Sequence, residues 1–211
     1  MKRPLLVLLL LAASLTASQA RAGDPTSTPS LDAAKAPIES FYAALGASMK
    51  AGDSLTLDAR RQRLAPAIGK AFDLPLMSAK VLGRHWRSLS AEDQKRWADA
   101  FAALTVKTYA EQFDENTGLV FEVGAVQAAP SGTALVRTKL KRASDDPVSI
   151  DYRLRPVGGG WRVIDIFLNG TVSELALRRS EYTSVLERDS FARLVTTLQT
   201  RTLVPARQAA D

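Results

Sequence analysis

The sequence predicts an α+β fold in which helices from both ends of the chain pack on a curved antiparallel sheet of four strands. Apolar residues recur at helical spacing as far as about residue 113, alternate with a period of two over residues 119–168, and then return to helical spacing. The turns between the alternating segments are short, so successive strands are expected to be antiparallel neighbours. We place a single domain at residues 35–202, between a flexible segment at residues 23–34 and a disordered tail at residues 203–211.

The N-terminus has the features of a secretory signal peptide, predicted at residues 1–22. Two basic residues precede an apolar run over residues 5–13, and small residues that suit cleavage follow at Ala20 and Ala22. The run is too short to cross a hydrocarbon core of about 30 Å, and no cysteine is present to carry a lipoprotein anchor. We therefore expect export to the periplasm with removal of this segment.

Each predicted N-terminal helix has one apolar face. The first helix carries Ile38, Phe41, Tyr42, Leu45 and Met49 on that face. The second is predicted from Leu57, Leu64, Ile68 and Phe72, with an interruption or kink at Pro66. Asp73 is suited to cap a short helix that ends near Gly83. Ser90 is suited to cap a long helix, whose face holds Trp97, Phe101, Leu104 and Thr108.

The last predicted strand, residues 161–168, is apolar in both of its alternating sets. One set holds Trp161, Val163 and Phe167 together with Asp165, and the other holds Ile164, Ile166 and Leu168 together with Arg162. In the preceding strand the apolar set is Val148, Ile150, Tyr152 and Leu154. A strand that is apolar on both faces has to be covered on both, so the question is whether protein or a ligand covers the second face.

Two helices are predicted to close the fold after the last strand. The first carries the apolar residues Leu175, Tyr182, Val185 and Leu186. The second is capped by Ser190 and carries Phe191, Leu194, Val195 and Leu198. Together with the N-terminal helices they are expected to stack on one face of the sheet.

The composition excludes most catalytic and metal chemistry. The chain has no cysteine and one histidine, His85, which cannot form a typical zinc or transition-metal site. It has no G-x-S-x-G, P-loop or G-x-G-x-x-G motif. We therefore expect no enzymatic activity, no catalytic residue, no metal and no cofactor, and we interpret His85 as structural.

The charge of the chain argues against nucleic acid as a partner. Cleavage would remove Lys2, Arg3 and Arg21 and lower the net charge from +6 to +3. No sustained basic patch with interleaved aromatic residues is visible. The remaining basic bias is compatible with a transient contact with an anionic membrane surface.

Asp165 is the acidic residue of most interest, because it lies in an otherwise apolar strand. A buried carboxylate needs hydrogen bonds or a cation. Arg153, Arg162 and Arg179 are the candidates, and we expect Arg179. A structural salt bridge is the preferred interpretation of Asp165 and Arg179, contact with a polar headgroup is the alternative, and catalysis by Asp165 is a third hypothesis.

Several segments resemble the signature of the MlaC/toluene-tolerance family, which comprises exported auxiliary proteins of lipid transport. They are Trp161-Arg162-Val163-Ile164-Asp165-Ile166, Asn169-Gly170, Ser173 and Arg179-Ser180-Glu181-Tyr182, with Phe41-Tyr42, Phe72–Met77 and the segment from Trp86 to Phe101. Residues 169–175 are most similar to the hopanoid-associated branch, from which Asn169 departs where that branch has an acidic residue.

This resemblance implies a soluble periplasmic carrier, expected to be monomeric, that holds a phospholipid or a hopanoid in an apolar cavity between sheet and helices. It also implies that the carrier meets an inner-membrane transporter complex and an outer-membrane acceptor complex. The alternative is an envelope interaction protein of the same fold that carries nothing. The candidate lipid-binding residues are Phe41, Tyr42, Leu45, Met77, Val81, Trp97, Phe101, Val148, Ile150, Tyr152, Leu154, Trp161, Val163 and Phe167.

Overall fold

The computed structural model describes residues 29–114, 118–142 and 145–200, and within them it has the expected α+β fold. The helices are α1 (Lys35–Ala51), α2 (Leu57–Ala71), α3 (Leu74–Leu82), α4 (Ala91–Gln112), α5 (Glu174–Arg188) and α6 (Phe191–Thr200). The strands are β1 (Val120–Ala129), β2 (Thr133–Arg142), β3 (Asp145–Val157), β4 (Gly160–Leu168) and β5 (Val172–Ser173). They form one open antiparallel sheet in the order β1-β2-β3-β4-β5.

The structure has one strand more than the sequence predicted. β5 pairs with the end of β4 after a tight turn in which Asn169 and Gly170 have φ angles of 50° and 72°. Glycine adopts positive φ without steric cost, and asparagine tolerates it better than most residues. The predicted signal peptide at residues 1–22 and the predicted tail at residues 203–211 lie outside the described residues.

Regular structure is present before residue 35, where the domain was predicted to start. Half of the segment expected to be flexible, residues 23–34, lies outside the described residues, but Asp32–Ala34 forms a short 3-10 helix with Ala34 fully buried. The indole Nε1 of Trp161 donates a hydrogen bond of 3.0 Å to the carbonyl oxygen of Ser30. This bond ties the start of the helical layer to the sheet, so the order extends to the N-terminal side of residue 35.

The predicted capping side chains begin the helices as expected. The carboxylate of Asp73 accepts a hydrogen bond of 3.2 Å from the backbone N–H of Leu76, and the hydroxyl of Ser90 accepts one of 3.1 Å from that of Asp93. The predicted interruption at Pro66 is wrong, because α2 continues through it. Pro66 is exposed, so water can replace the helical hydrogen bond that proline cannot donate.

A β-bulge in β4 decides which of its residues share a face. Leu154 of β3 pairs with Val163, but the preceding Arg153 pairs with Asp165, so Ile164 is an extra residue in β4. An extra residue reverses the alternation of side chains beyond it. The period of two read from the sequence therefore holds on each side of Ile164 but not across it.

The bulge corrects the predicted grouping of the last strand. Trp161 and Val163 share the face that packs on the helices with Ile166 and Leu168, because residues opposite each other in an antiparallel pair point to the same side. Phe167 points to the other face and does not pack against the buried core. The sequence placed Phe167 with Trp161 and Val163 because a bulge leaves no mark in the apolar pattern.

The helices pack on one face of the sheet, called here the inner face, while the opposite, outer face is rich in charged residues. Two contacts made by Asp73 join the helical layer to β4 and β3 of the sheet. The backbone N–H of Asp73 donates a hydrogen bond of 2.9 Å to the carbonyl oxygen of Val163. The buried carboxylate of Asp73 accepts one of 2.6 Å from Nε of Arg155 and forms an ion pair with that side chain. Asp73 thus caps α3 and fixes α3 to the sheet at the same time.

Candidate functional site

The inner face of the sheet is fully covered by helices at one end only. At this covered end the inward side chains of Ala134, Val136, Leu154 and Val163 have no exposed surface. At the opposite end, called here the open end, six inward apolar side chains remain accessible to solvent: Phe121, Leu140, Val148, Ile150, Ile166 and Leu168. Val148 is 44% exposed. A cluster of accessible apolar side chains of this kind is typical of a ligand or partner site.

The helical side of the open end is also apolar. Val106 and Tyr109 of α4, Phe113 directly after α4, and Leu175 of α5 are only partly buried against the core. The rings of Phe113 and Phe121 lie 5.8 Å apart, centroid to centroid, so α4 and β1 meet through aromatic contact. Partly accessible apolar side chains therefore lie on both the sheet side and the helical side of the open end, and we call this cluster of side chains the mouth.

A cluster of aromatic rings lies behind this mouth. The ring of Phe41 makes edge-to-face contacts with Phe72 at 5.1 Å and with Tyr109 at 4.9 Å, and Tyr42 stacks on Phe121 at 4.6 Å. Ring contacts of this geometry add about 0.5–1.5 kcal/mol each beyond the burial of area. The cluster joins α1, α4 and β1 and forms the inner limit of the mouth.

Three buried hydroxyls form a polar network within this apolar interior. The Tyr42 hydroxyl is 2.7 Å from Oγ1 of Thr138 and 3.2 Å from the hydroxyl of Tyr152, and Thr138 donates to the carbonyl oxygen of Ile150. Burial raises the pKa of Tyr42 to about 12. Its hydrogen bonds with Thr138 and Tyr152 lower the pKa, but by less than burial raises it. Burial also raises the pKa of Tyr152. Both groups are therefore neutral at physiological pH and available only as hydrogen-bonding groups.

The structure brings most of the predicted lipid-binding residues together in the core. The members that are buried there are Phe41, Tyr42, Leu45, Met77, Val81, Trp97, Phe101, Tyr152, Leu154, Trp161 and Val163. Ile150 and Val148 lie at the open end, and Phe167 is on the outer face. The predicted set thus describes the covered interior better than the mouth.

Sequence reasoning missed several residues of the mouth, among them Tyr109, Phe113, Phe121, Leu140 and Ile166. Two of them could have been found by continuing the helical stripe of α4 past Thr108, because Tyr109 and Phe113 follow Phe101 at multiples of four residues. Phe121 and Leu140 alternate with polar neighbours in the expected way. The pattern does not reveal which end of each strand the helices leave uncovered.

Asp165 does not form the expected ion pair with Arg179. Its carboxylate accepts hydrogen bonds of 2.8 Å from the N–H of Ile166, 2.7 Å from the hydroxyl of Ser173 and 3.2 Å from the N–H of Leu175. Several short hydrogen bonds can satisfy the hydrogen-bonding needs of a carboxylate without a cation. Asp165 therefore anchors the turn that leads from β4 into α5.

Arg179 lies elsewhere, over the backbone of Gly83. A Cβ atom built at Gly83 would be 2.8 Å from Nε of Arg179, and the φ angle of Gly83 is +55°. The positive φ angle favours glycine here, whereas the exposed end of the Arg179 side chain could move away from a Cβ atom. The guanidinium of Arg179 is exposed and forms no ion pair within the described part of the chain.

The chemistry of the open end suits an apolar ligand. Apolar walls and neutral hydroxyls can exclude water and accept or donate single hydrogen bonds. Over residues 29–114, 118–142 and 145–200 no three His, Cys, Asp or Glu side chains converge as a metal ion would require. None of the helices in the same ranges has the length and apolar character needed to cross a bilayer.

Comparison with known proteins identifies a family and solved structures of the same fold. A family described as MlaC protein matches residues 40–200. A phospholipid-binding protein from Ralstonia solanacearum, solved in complex with a phospholipid, aligns with a TM-score of 0.67 and 23% sequence identity, over 79% of this chain and 94% of that chain. At this identity the second match shows a shared fold. No curated protein matches the chain.

Proposed function

The chain belongs to the MlaC family, and on that premise we propose that it is a periplasmic lipid carrier that shuttles a phospholipid between inner-membrane and outer-membrane machinery. The observation that carries this proposal is the open end, where accessible apolar side chains of the sheet face a partly exposed apolar stripe of α4. The relative of the same fold is described as phospholipid-binding and was solved with a phospholipid.

The energetics of lipid transfer explain why a carrier needs such a mouth. Exposing an acyl chain of about 16 carbons to water costs ~13 kcal/mol, at ~0.8 kcal/mol for each CH₂ group. A free lipid therefore does not cross an aqueous compartment at a useful rate. A protein that covers the chain with apolar side chains offsets most of this cost.

In this proposal the acyl chains enter along the inner face between the sheet and α4. Leu140, Ile150 and Ile166 form the sheet side of the entrance, and the predicted residues of the covered end line the cavity when the helical layer moves away from the sheet. Arg179 is our candidate for an anionic headgroup, because its guanidinium is exposed and lies over Gly83. Residues 169–175, which resemble the hopanoid-associated branch, keep a hopanoid as the second candidate ligand.

A second function, an envelope interaction protein that carries no lipid, is favoured by one observation. The rings of Phe41, Phe72 and Tyr109 are closely packed at 4.9–5.8 Å, so the interior at this position is filled by protein. A carrier would have to open this cluster to admit a ligand, whereas an interaction protein would keep it closed.

Extraction of the protein from its native envelope distinguishes the two functions. We expect mass spectrometry of the organic extract to find one class of lipid in near-stoichiometric amount, and its mass to separate phospholipid from hopanoid. Protein that is empty on purification, and that also takes up no fluorescent phospholipid from detergent micelles, would refute the carrier and leave the interaction protein.

A further inference from the structure

Arg60 is a buried arginine that lies outside the mouth. It is near the start of α2, is 6% exposed and forms no ion pair with any residue in the ranges that the structure describes. Burying a cation costs free energy unless hydrogen-bond acceptors replace the water around it. The groups around its guanidinium therefore have to supply those acceptors.

Backbone carbonyl oxygens from the ends of two helices surround the guanidinium of Arg60. Nη1 donates a hydrogen bond of 3.3 Å to the carbonyl oxygen of Ala110, in the last turn of α4. Nη2 donates bonds of 3.2 Å to Gly52, which directly follows α1, 3.4 Å to Leu55 and 3.2 Å to Asp114. Carbonyl groups at the C-terminal end of a helix carry partial negative charge, so they stabilise the buried cation.

The bonds to Ala110 and Asp114 hold the part of the chain that contributes two aromatic rings to the mouth. Tyr109 directly precedes Ala110, and Phe113 directly precedes Asp114. The N–H of Phe113 donates a hydrogen bond of 3.1 Å to the carbonyl oxygen of Tyr109, and the two rings stack 5.9 Å apart. The ring of Phe113 also lies 5.8 Å from that of Phe121 in β1. The guanidinium thus fixes the backbone on which both rings depend.

The end of α4 needs a cation from elsewhere in the fold. Its last turn, residues 109–112, includes no basic residue. Carbonyl groups at a helix end lack partners within the helix, and a basic side chain near them stabilises that end. Arg60 supplies this side chain from α2, 50 residues away in the chain. Without it we expect the end of α4 to fray, since helix ends are the least stable part of a helix.

From these contacts we propose that Arg60 is a positioning residue for the lipid site, which keeps Tyr109 and Phe113 in the mouth and thereby slows the release of bound lipid. The inference rests on the proposed function, because it names a residue that sets how long the carrier holds its ligand. Arg60 acts through the two rings and does not touch the lipid. A covered ligand leaves only when the side chains over it move, so rings that are held in place retain it longer.

The rate at which a fluorescent phospholipid is released tests this inference. Each protein is loaded from detergent micelles, freed of detergent and mixed with an excess of unlabelled phosphatidylcholine vesicles. Arg60→Met keeps an unbranched side chain but removes the guanidinium, and we expect release to be about tenfold faster. Arg60→Lys keeps the charge, but a single ammonium lacks the planar fork that reaches both helix ends, so release should still be at least about threefold faster.

Two controls separate positioning from loss of charge and from loss of stability. Arg61→Met removes the neighbouring guanidinium, which is partly exposed and pairs with Asp58 at 3.0 Å. Leu64→Ala leaves a cavity at a fully buried position one turn further along α2, which destabilises the fold but leaves the hydrogen bonds of Arg60 in place. We expect release from both controls to stay within about twofold of the wild-type rate.

Chemical rescue and hydrogen exchange report on positions rather than on overall stability. In Arg60→Ala, millimolar guanidinium ion should occupy the vacated space and restore slow release, whereas the same concentration of sodium chloride should not. Hydrogen exchange followed by mass spectrometry should be faster in the last turn of α4 than in its first turns for Arg60→Met, and unchanged there for Leu64→Ala. Circular dichroism verifies that the variants are folded, and Arg60→Lys carries the test if Arg60→Met does not fold.

The outcomes distinguish this inference from the proposed function. Release at the wild-type rate from both Arg60→Met and Arg60→Lys overturns the inference and leaves the carrier. Equal acceleration in Leu64→Ala also overturns it, because stability alone would then account for the effect. Wild-type protein that takes up no lipid overturns the proposed function, and the inference with it. Faster release that guanidinium ion reverses supports both.

Discussion

Replacement of Tyr42 by phenylalanine tests the buried hydroxyl network without disturbing the aromatic cluster. Tyr42 is 6% exposed, and its hydroxyl is bonded to those of Thr138 and Tyr152. The phenylalanine ring retains the packing, and Thr138 retains its bond to the Ile150 carbonyl. The Tyr152 hydroxyl loses its partner, and a buried polar group left without one costs about 1–3 kcal/mol. We expect the free energy of unfolding to fall by about 2 kcal/mol near neutral pH.

The same substitution should reverse its effect at alkaline pH. Burial raises the pKa of Tyr42 to about 12 from 10.0, so between these values the folded protein keeps a proton that the unfolded chain has lost. The stability that depends on this proton is complete below pH 10 and is lost as the pH rises towards 12, by about 1.4 kcal/mol per pH unit. The free energy of unfolding of the wild-type protein thus falls by about 3 kcal/mol over this pH range. The variant does not undergo this loss, because it lacks the Tyr42 hydroxyl. The variant should become the more stable protein as the pH approaches 12.

Urea denaturation at a series of pH values, followed by circular dichroism, measures both effects. Tyr182→Phe is the matched control, because Tyr182 is also buried but its hydroxyl has only a long contact of 3.5 Å with Arg178. We expect the control to lose no more than about 1 kcal/mol. A difference between wild type and Tyr42→Phe that stays constant up to alkaline pH would refute the reasoning, because it would mean that the Tyr42 hydroxyl is hydrated in the folded protein.

Three further substitutions test the other contacts. Asp73→Asn should keep the cap on α3 but lose the ion pair with Arg155, and should lower the free energy of unfolding by about 2 kcal/mol in urea denaturation; no change would mean that the pair is hydrated. Asp165→Asn should lower it by about 1–2 kcal/mol while lipid uptake is unchanged, because Asp165 accepts hydrogen bonds from the turn into α5. Ile150→Asp should abolish uptake of fluorescent phospholipid by placing a charge in the mouth, whereas Gln127→Asp on the outer face should not; equal uptake by both variants would place the entrance elsewhere.

The local elements of this fold could be predicted from the sequence because each depends on neighbours in the chain. Apolar residues at helical spacing give the buried faces of α1 and α4, and Asp73 and Ser90 cap the helices that follow them. Most of the predicted lipid-binding residues are buried together, because the apolar face of an amphipathic helix or strand packs against the core of the domain. The residues around Trp161 also indicated the family from the sequence, and the family match over residues 40–200 confirms that assignment.

The candidate site could be predicted only in part, because its position depends on contacts between distant residues. Asp73 and Arg155 are 82 residues apart, and either could have been a solvated surface charge on sequence grounds alone. Asp165 was expected to need an arginine, but the N–H of Ile166 and two donors from the segment that leads into α5 satisfy it without a cation. No local pattern distinguishes these arrangements.

The fold class, the helical faces and caps, the alternation within most strands and the family of this protein could all be predicted from local patterns in the chain. Two features of the strand from Trp161 to Leu168, on which the functional question depends, arise only from packing between distant residues. The bulge at Ile164 turned Phe167 outward and Ile166 inward, and the helices covered one end of the inner face while leaving the other open. Both depend on how far each helix extends across the sheet and on the register between strands, which are set by the packing of the whole core.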